Sequence, residues 1–189
     1  MMAGMNPGGA AAAASAADKD DGKFMDLSSL IDKKECFARN VAPGFPMTNL
    51  FIGDSRLGCK SDADEQLIIH ISFHDFVKIK SIKFTEFNQG VDPDQNPTTV
   101  KLFVNRSNLG FEDIDDVDPT QVLTLTSEDL KEDAGPIMIK FVKFQRVQGL
   151  TIYIEDNEGA EQTALGALKL MGRPVQTTNM SDFKKGKEE

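Results

Sequence analysis

Alternation with a period of two constrains this 189-residue chain more than any other feature. From Leu67 to Phe73, the residues Leu67, Ile69, Ile71 and Phe73 fall on one face and Ile68, His70 and Ser72 on the other, as a half-buried strand requires. A longer strand is predicted over Val77 to Phe87. There Val77 and Ile79 share a parity that Ile82 and Phe84 do not, so the pattern slips once near Ser81 and predicts a bulge that bends the strand. Further period-two runs cover Thr99 to Val104, Gln121 to Leu125, Ile137 to Phe144, Leu150 to Glu155 and Ala164 to Met171, separated by turn-rich segments such as NQGVDPDQNP and EDNEGAEQ. Many short strands without strand-helix alternation predict an all-β sandwich, most naturally a jelly roll. No self-similarity recurs at a spacing of roughly 20 to 50 residues, which argues against a propeller or solenoid.

Helical signals are few. Asp26 is a candidate N-cap for a short helix carrying Leu27, Leu30 and Ile31 on one stripe. Ser127, Glu128, Asp129 and Leu130 suggest a single turn, with a hydroxyl ahead of acids. Val41 to Gly58 has two prolines and three glycines among scattered Leu and Phe, and is expected to cross the core as ordered but irregular chain. Residues 1–25 read as a disordered Ala/Gly-rich leader, because Pro7, Gly8 and Gly9 interrupt any helix and no amphipathic face exists. The domain is therefore expected over residues 26–185, with a charged tail at 186–189.

Composition narrows the function classes. The net charge of -9 opposes attachment to nucleic acid or anionic lipid, since either needs Lys and Arg to displace counterions. No apolar run approaches the roughly 20 residues that span a bilayer. Cys36 and Cys59 form no C-x-x-C and no Cys/His cluster, so an intracellular, reducing setting is expected, cytoplasmic and also nuclear. The acidity is local: Glu112 to Asp133 holds nine acids and one lysine, a solvated loop or a patch that steers a basic partner.

Candidate chemistry is thin. EDIDDVD and DPDQN offer oxygen ligands at alternate positions, but the loop from Asp92 places Pro97 and Phe103 where an EF-hand needs Gly and Glu. His70 and His74 resemble an H-x-x-x-H pair, yet on a strand four residues cover about 13 Å, too far for one metal; both are expected to be surface or strand-end histidines. Cys36 and Cys59 read as packed or idle thiols that could pair only if the fold brings them together. No G-x-S-x-G and no P-loop occurs. Thirteen of the fourteen aromatics are Phe, with Tyr153 the single tyrosine, which favours core packing over polar-tipped platforms and weakens sugar binding. No catalytic residue, cofactor or metal is expected.

The blocks SDADEQLIIHISF (61 to 73), VKIKSIKF (77 to 84), NPTTVKLFVN (96 to 105), DPTQVLTL (118 to 125), IKFVKFQRVQGLTIYIEDN (139 to 157) and MGRPVQTTNMSDFKK (171 to 185) together resemble the PITH domain, named for a proteasome-interacting thioredoxin. The resemblance implies a jelly-roll β-sandwich of galactose-binding-like or Doc-like type, and an interaction module for the 26S proteasome regulatory particle. In the thioredoxin-like member a thioredoxin domain comes first. Its C-x-x-C does not occur in this sequence, so the resemblance carries no disulfide reductase activity here and points to a stand-alone member.

Two partner contacts are expected on this reading. One is electrostatic, through Glu112, Asp113, Asp115, Asp116 and Asp118. The other is the C-terminal stretch, through Val175, Gln176, Asn179, Met180 and Phe183. A small-ligand module is the alternative, since jelly rolls hold sugars at a loop edge; it requires a concave polar pocket with an aromatic floor. A thiol redox role through Cys36 and Cys59 is a third reading. A monomer is the expected state.

Overall fold

A computed structural model describes residues 23–176. Among these described residues ten strands form: β1 Met25–Asp26, β2 Phe37–Arg39, β3 Cys59–Lys60, β4 Leu67–Thr85, β5 Pro97–Val104, β6 Gln121–Thr124, β7 Ile137–Met138, β8 Val147–Asn157, β9 Ala164–Leu165 and β10 Ala167–Pro174. All pairings among them are antiparallel.

The strands read from sequence over Leu67 to Phe73 and Val77 to Phe87 are one 19-residue strand, β4. Its first part pairs with β2 and β8, and β8 continues through β5 to β6. Its second part pairs with β10 and β7, and β10 carries β1. Register with β8 breaks between Ser72 and Val77, where the chain turns from one layer into the other. The bulge expected near Ser81 is present: Met171 faces Ser81 while Gly172 faces Ile79, so Lys80 is the extra residue. A side chain at Gly172 would begin 1.9 Å from the Lys78 carbonyl oxygen, which is why the partner strand has glycine at this point.

Between the layers lies one core. Leu67, Ile69, Ile71 and Phe73 face Val77, Ile79, Ile82 and Phe84, joined by Val100, Leu102, Leu150, Ile152, Ile154, Leu168 and Leu170. The parity change across Lys80 keeps Ile82 and Phe84 inside, so the bulge serves burial rather than interrupting it. The Val41–Gly58 stretch crosses this core as expected, burying Met47 and Leu50 in the 3-10 helix Met47–Phe51.

Two expectations need correction, while the turn read over Ser127–Leu130 forms as expected. The N-terminal helix is a single 3-10 turn, Leu27–Leu30, capped as predicted by the Asp26 carboxylate accepting from the Ser28 amide at 2.9 Å. Ile137 to Phe144 is not one strand; β7 ends at Met138 and Phe141–Lys143 is a 3-10 turn that drives Phe144 into the core. The turn at Ser127–Leu130 is capped from Thr126, whose amide and hydroxyl both donate to the Asp129 carboxylate at 2.8 Å. The expected leader, except for its last residues, and the charged tail at 186–189 lie outside the described residues.

Candidate functional site

The outer face of the first layer carries cross-strand rows. Phe37, His70, Thr151 and Phe103 are register partners in one row, and Arg39, Ile68, Tyr153 and Lys101 in the next. A strand face turned to water would be polar, yet Ile68, Phe103 and Tyr153 are buried here, covered by Leu109 and Ile114 from the β5–β6 connection, with Phe111 and Val117 alongside. The Phe111 ring stands edge-on to Tyr153, centroids 6.2 Å apart.

This second core explains how the acidic loop is held. The 3-10 turn Ile114–Asp116 points Ile114 inward at 1% exposure, and the same turn leaves Glu112, Asp113, Asp115, Asp116 and Asp118 exposed. The acids are thereby fixed outward by one buried isoleucine. Other parts of the chain add to their field. Burial pushes the Tyr153 phenol up to about 12, aided by Asp115, Glu155, Asp64 and Glu65. Asn40, at φ 66°, holds the turn containing Asp64 by donating to its carboxylate at 2.8 Å and to the Gln66 carbonyl at 2.6 Å. Lys101 offsets Glu155 across 2.7 Å.

The acidic run seen in sequence is split by the fold. Glu128 to Asp133 sits instead beside the far end of β4, where Lys83 Nζ donates to the carbonyls of Phe84, Asp129 and Lys131. Of the expected C-terminal contacts, Val175 is half-buried, its amide donating to the Phe76 carbonyl at 2.9 Å, and Gln176 is exposed. Asn179, Met180 and Phe183 lie outside the described residues. Sequence reasoning missed Asp64, Glu65 and Glu155; the available signal was that Ile68, Phe103 and Tyr153 occupy the outward parity and need a cover.

His70 corrects the surface reading given to both histidines. It is 4% exposed, its ring stacked on Phe37 at 4.9 Å, and burial lowers its pKa below the ordinary value. His74 does lie exposed, 3.6 Å from Asp32. Cys36 and Cys59 are both free. Burial pushes the Cys59 thiol up to about 12, and raises Cys36 against the lowering effect of the Ser72 amide, so both stay protonated and weakly nucleophilic. Among the described residues no three His, Cys, Asp or Glu side chains converge as metal ligands, and no helix is long and apolar enough to cross a membrane.

Among the hollows of the described surface, two lie against residues already named. A cleft of about 710 Å³ runs past Asp26, Ile31, Phe51, Lys83, Glu132 and Leu170. A recess of about 370 Å³ opens at His70, Ser72, Phe76, Ser107, Gln148 and Gly149.

The model of the PITH domain matches residues 17–188. The chain belongs to the PITH domain family. It is 34% identical over 166 residues to thioredoxin-like protein 1 of Schizosaccharomyces pombe, covering 87% of this chain and 55% of that protein. PITH domain-containing protein 1 of Danio rerio is 33% identical over 113 residues, 60% of this chain and 50% of that protein. This PITH domain thus spans about half the length of the curated relatives it matches. Its fold is that of carbohydrate-binding jelly rolls. The CBM32-1 and CBM32-2 domains of Clostridium perfringens ZmpB, solved with GalNAc, superpose at a TM-score of 0.61 and 10% identity, covering 79% of this chain and 36% of that one. A fucolectin from striped bass serum superposes at 0.58 and 10% identity, covering 84% and 52%.

Proposed function

We propose that this PITH domain is a non-catalytic interaction module that docks on the 26S proteasome regulatory particle with its acidic outer face. The observation that carries the reading is the Ile114 anchor: five carboxylates are pre-ordered on a rigid sheet, so a basic partner meets them without first fixing a loop. Membership of the PITH domain family supports this choice of partner. The stretch from Val175 and Gln176 to Asn179, Met180 and Phe183 supplies the second contact; its first residue, Val175, is hydrogen-bonded to Phe76. Two thiols kept protonated by burial fit a module that performs no thiol chemistry on its partner. The protein acts in the cytoplasm or nucleus, as a monomer.

Capture of purified 26S proteasome by the full chain tests this. Recovery should fall as salt rises, and the Asp115→Asn/Asp116→Asn variant should retain less particle at low salt. Truncation after Gln176 leaves β10 whole and isolates the tail contact. Full recovery with the charge-neutral variant at every salt concentration would discard the acidic face.

A further inference from the structure

The recess beside His70 has a polarity set by its hydrogen bonds. Thr151 Oγ1 donates its single proton to the Arg106 carbonyl at 2.6 Å. The same oxygen lies 3.0 Å from His70 Nδ1 and can only accept there, so Nδ1 carries the hydrogen. In the neutral ring Nε2 is then a bare acceptor. It has no hydrogen-bond partner among the described residues, and the ring it belongs to forms part of the recess wall.

Access to that acceptor comes from a missing side chain. Gly149 faces Ser72 in the row next to His70, and a Cβ at Gly149 would lie 3.0 Å from His70 Cε1 and 3.4 Å from Nε2. The absence of a side chain therefore keeps the ring edge open. Around it stand Ser72, Ser107 and Gln148, each able to donate and accept. Phe76, capped on one side by the Arg146 guanidinium 4.0 Å from its centroid, gives an apolar wall. Asn105 is committed to structure: its Oδ1 accepts from the Gln148 amide at 2.9 Å and the Gly149 amide at 3.2 Å, and its Nδ2 donates to the Arg146 carbonyl at 3.0 Å.

No Asp, Glu, Lys or Arg lines the recess. A cation would find no counter-charge, and an anion would meet the Nε2 lone pair. The matching ligand has several neutral hydroxyls and a small apolar face, within the size range of small-molecule sites. We infer that this recess binds a neutral polyhydroxylated ligand of one-sugar-ring size, one of whose hydroxyls donates to His70 Nε2. The site is separate from the acidic face, and its failure would leave the docking proposal untouched.

Titration of the isotope-labelled full chain with millimolar galactose, glucose and myo-inositol, followed by amide and imidazole chemical shifts, tests it, with inorganic phosphate as the anionic comparison. At least one neutral probe should shift Gln148, Gly149 and the His70 ring. Gly149→Ala should weaken that binding about tenfold, by pressing on the ring edge and closing off the acceptor. If Gly149→Ala does not fold, Gln148→Ala, at an exposed position, reads the same site and should weaken binding about threefold. Shifts from phosphate alone, shifts confined to other surfaces, or none from any neutral probe would overturn the inference.

Discussion

The two faces of the layer built from β2, β4, β8, β5 and β6 use the same strands for different ends. The inner face is continuous aliphatic packing against a second layer. The outer face is a small apolar patch, Ile68, Tyr153 and Phe103 from two neighbouring rows, under one loop, and beside it a hollow where Gly149 omits a side chain. Inner residues are held from every side, so their loss is felt throughout the domain. Outer residues are covered from one side only, by a single loop anchored through Leu109 and Ile114. In this domain the outer face is therefore the one with room for partners, and its stability is local.

Substitutions that separate the faces should follow that ranking. Gly172→Ala forces a Cβ onto the Lys78 carbonyl at the bulge and is expected to cost about 4 kcal/mol or prevent folding, read by urea denaturation. Ile69→Ala, at a fully buried inner position, should cost about 3 kcal/mol with an unchanged urea dependence. Ile114→Ala should cost about 2 kcal/mol, but as a local opening: amide exchange should speed up over residues 110–118 while β4 and β8 stay protected. Equal acceleration in β8 would break the contrast between the faces.

The outer face should also carry a pH signature. Burial lowers the His70 pKa in the folded state, so below about 6.5 the unfolded chain takes up a proton that the folded chain refuses. Stability should fall as pH drops through that value, and level off once the folded pKa is passed. His70→Gln should flatten this slope in denaturation curves recorded between pH 7 and 5, ranges chosen around the ordinary histidine value of about 6.5. The smallest stability effect belongs to Asp115→Asn, expected within about 0.5 kcal/mol of zero. The same change should lower the Tyr153 pKa from about 12, measurable by ultraviolet titration, because one of the charges opposing the phenolate is gone.

Much of the sandwich was legible because burial on one side writes itself as alternation. The slip near Ser81 located the bulge before any coordinates. What alternation cannot reveal is continuity: the period-two pattern stops at Phe73 and restarts at Val77, yet β4 runs through the gap as it changes layers. It also cannot show what lies over an outward residue. His70 sits on the polar parity, which marks a surface group, although Phe37 and Thr151 from other strands enclose it. Ile137 to Phe144 carried apolar residues at plausible spacing, but the 3-10 turn at Phe141–Lys143 owes its conformation to tertiary packing of Phe144. The five carboxylates were legible as a charged run. Their rigidity was not, because it depends on Ile114 meeting Tyr153 across a long stretch of chain.

The passage of β4 through both layers ties their fates together in time as well as in space. A half-formed molecule with one layer complete would leave the other half of that strand without neighbours, its amides and carbonyls bare. Acquisition of the native state should accordingly be concerted and slow for a chain of this size, since contacts distant in sequence must close before any is rewarded. A proteolytic cut at the bend should release no stable half.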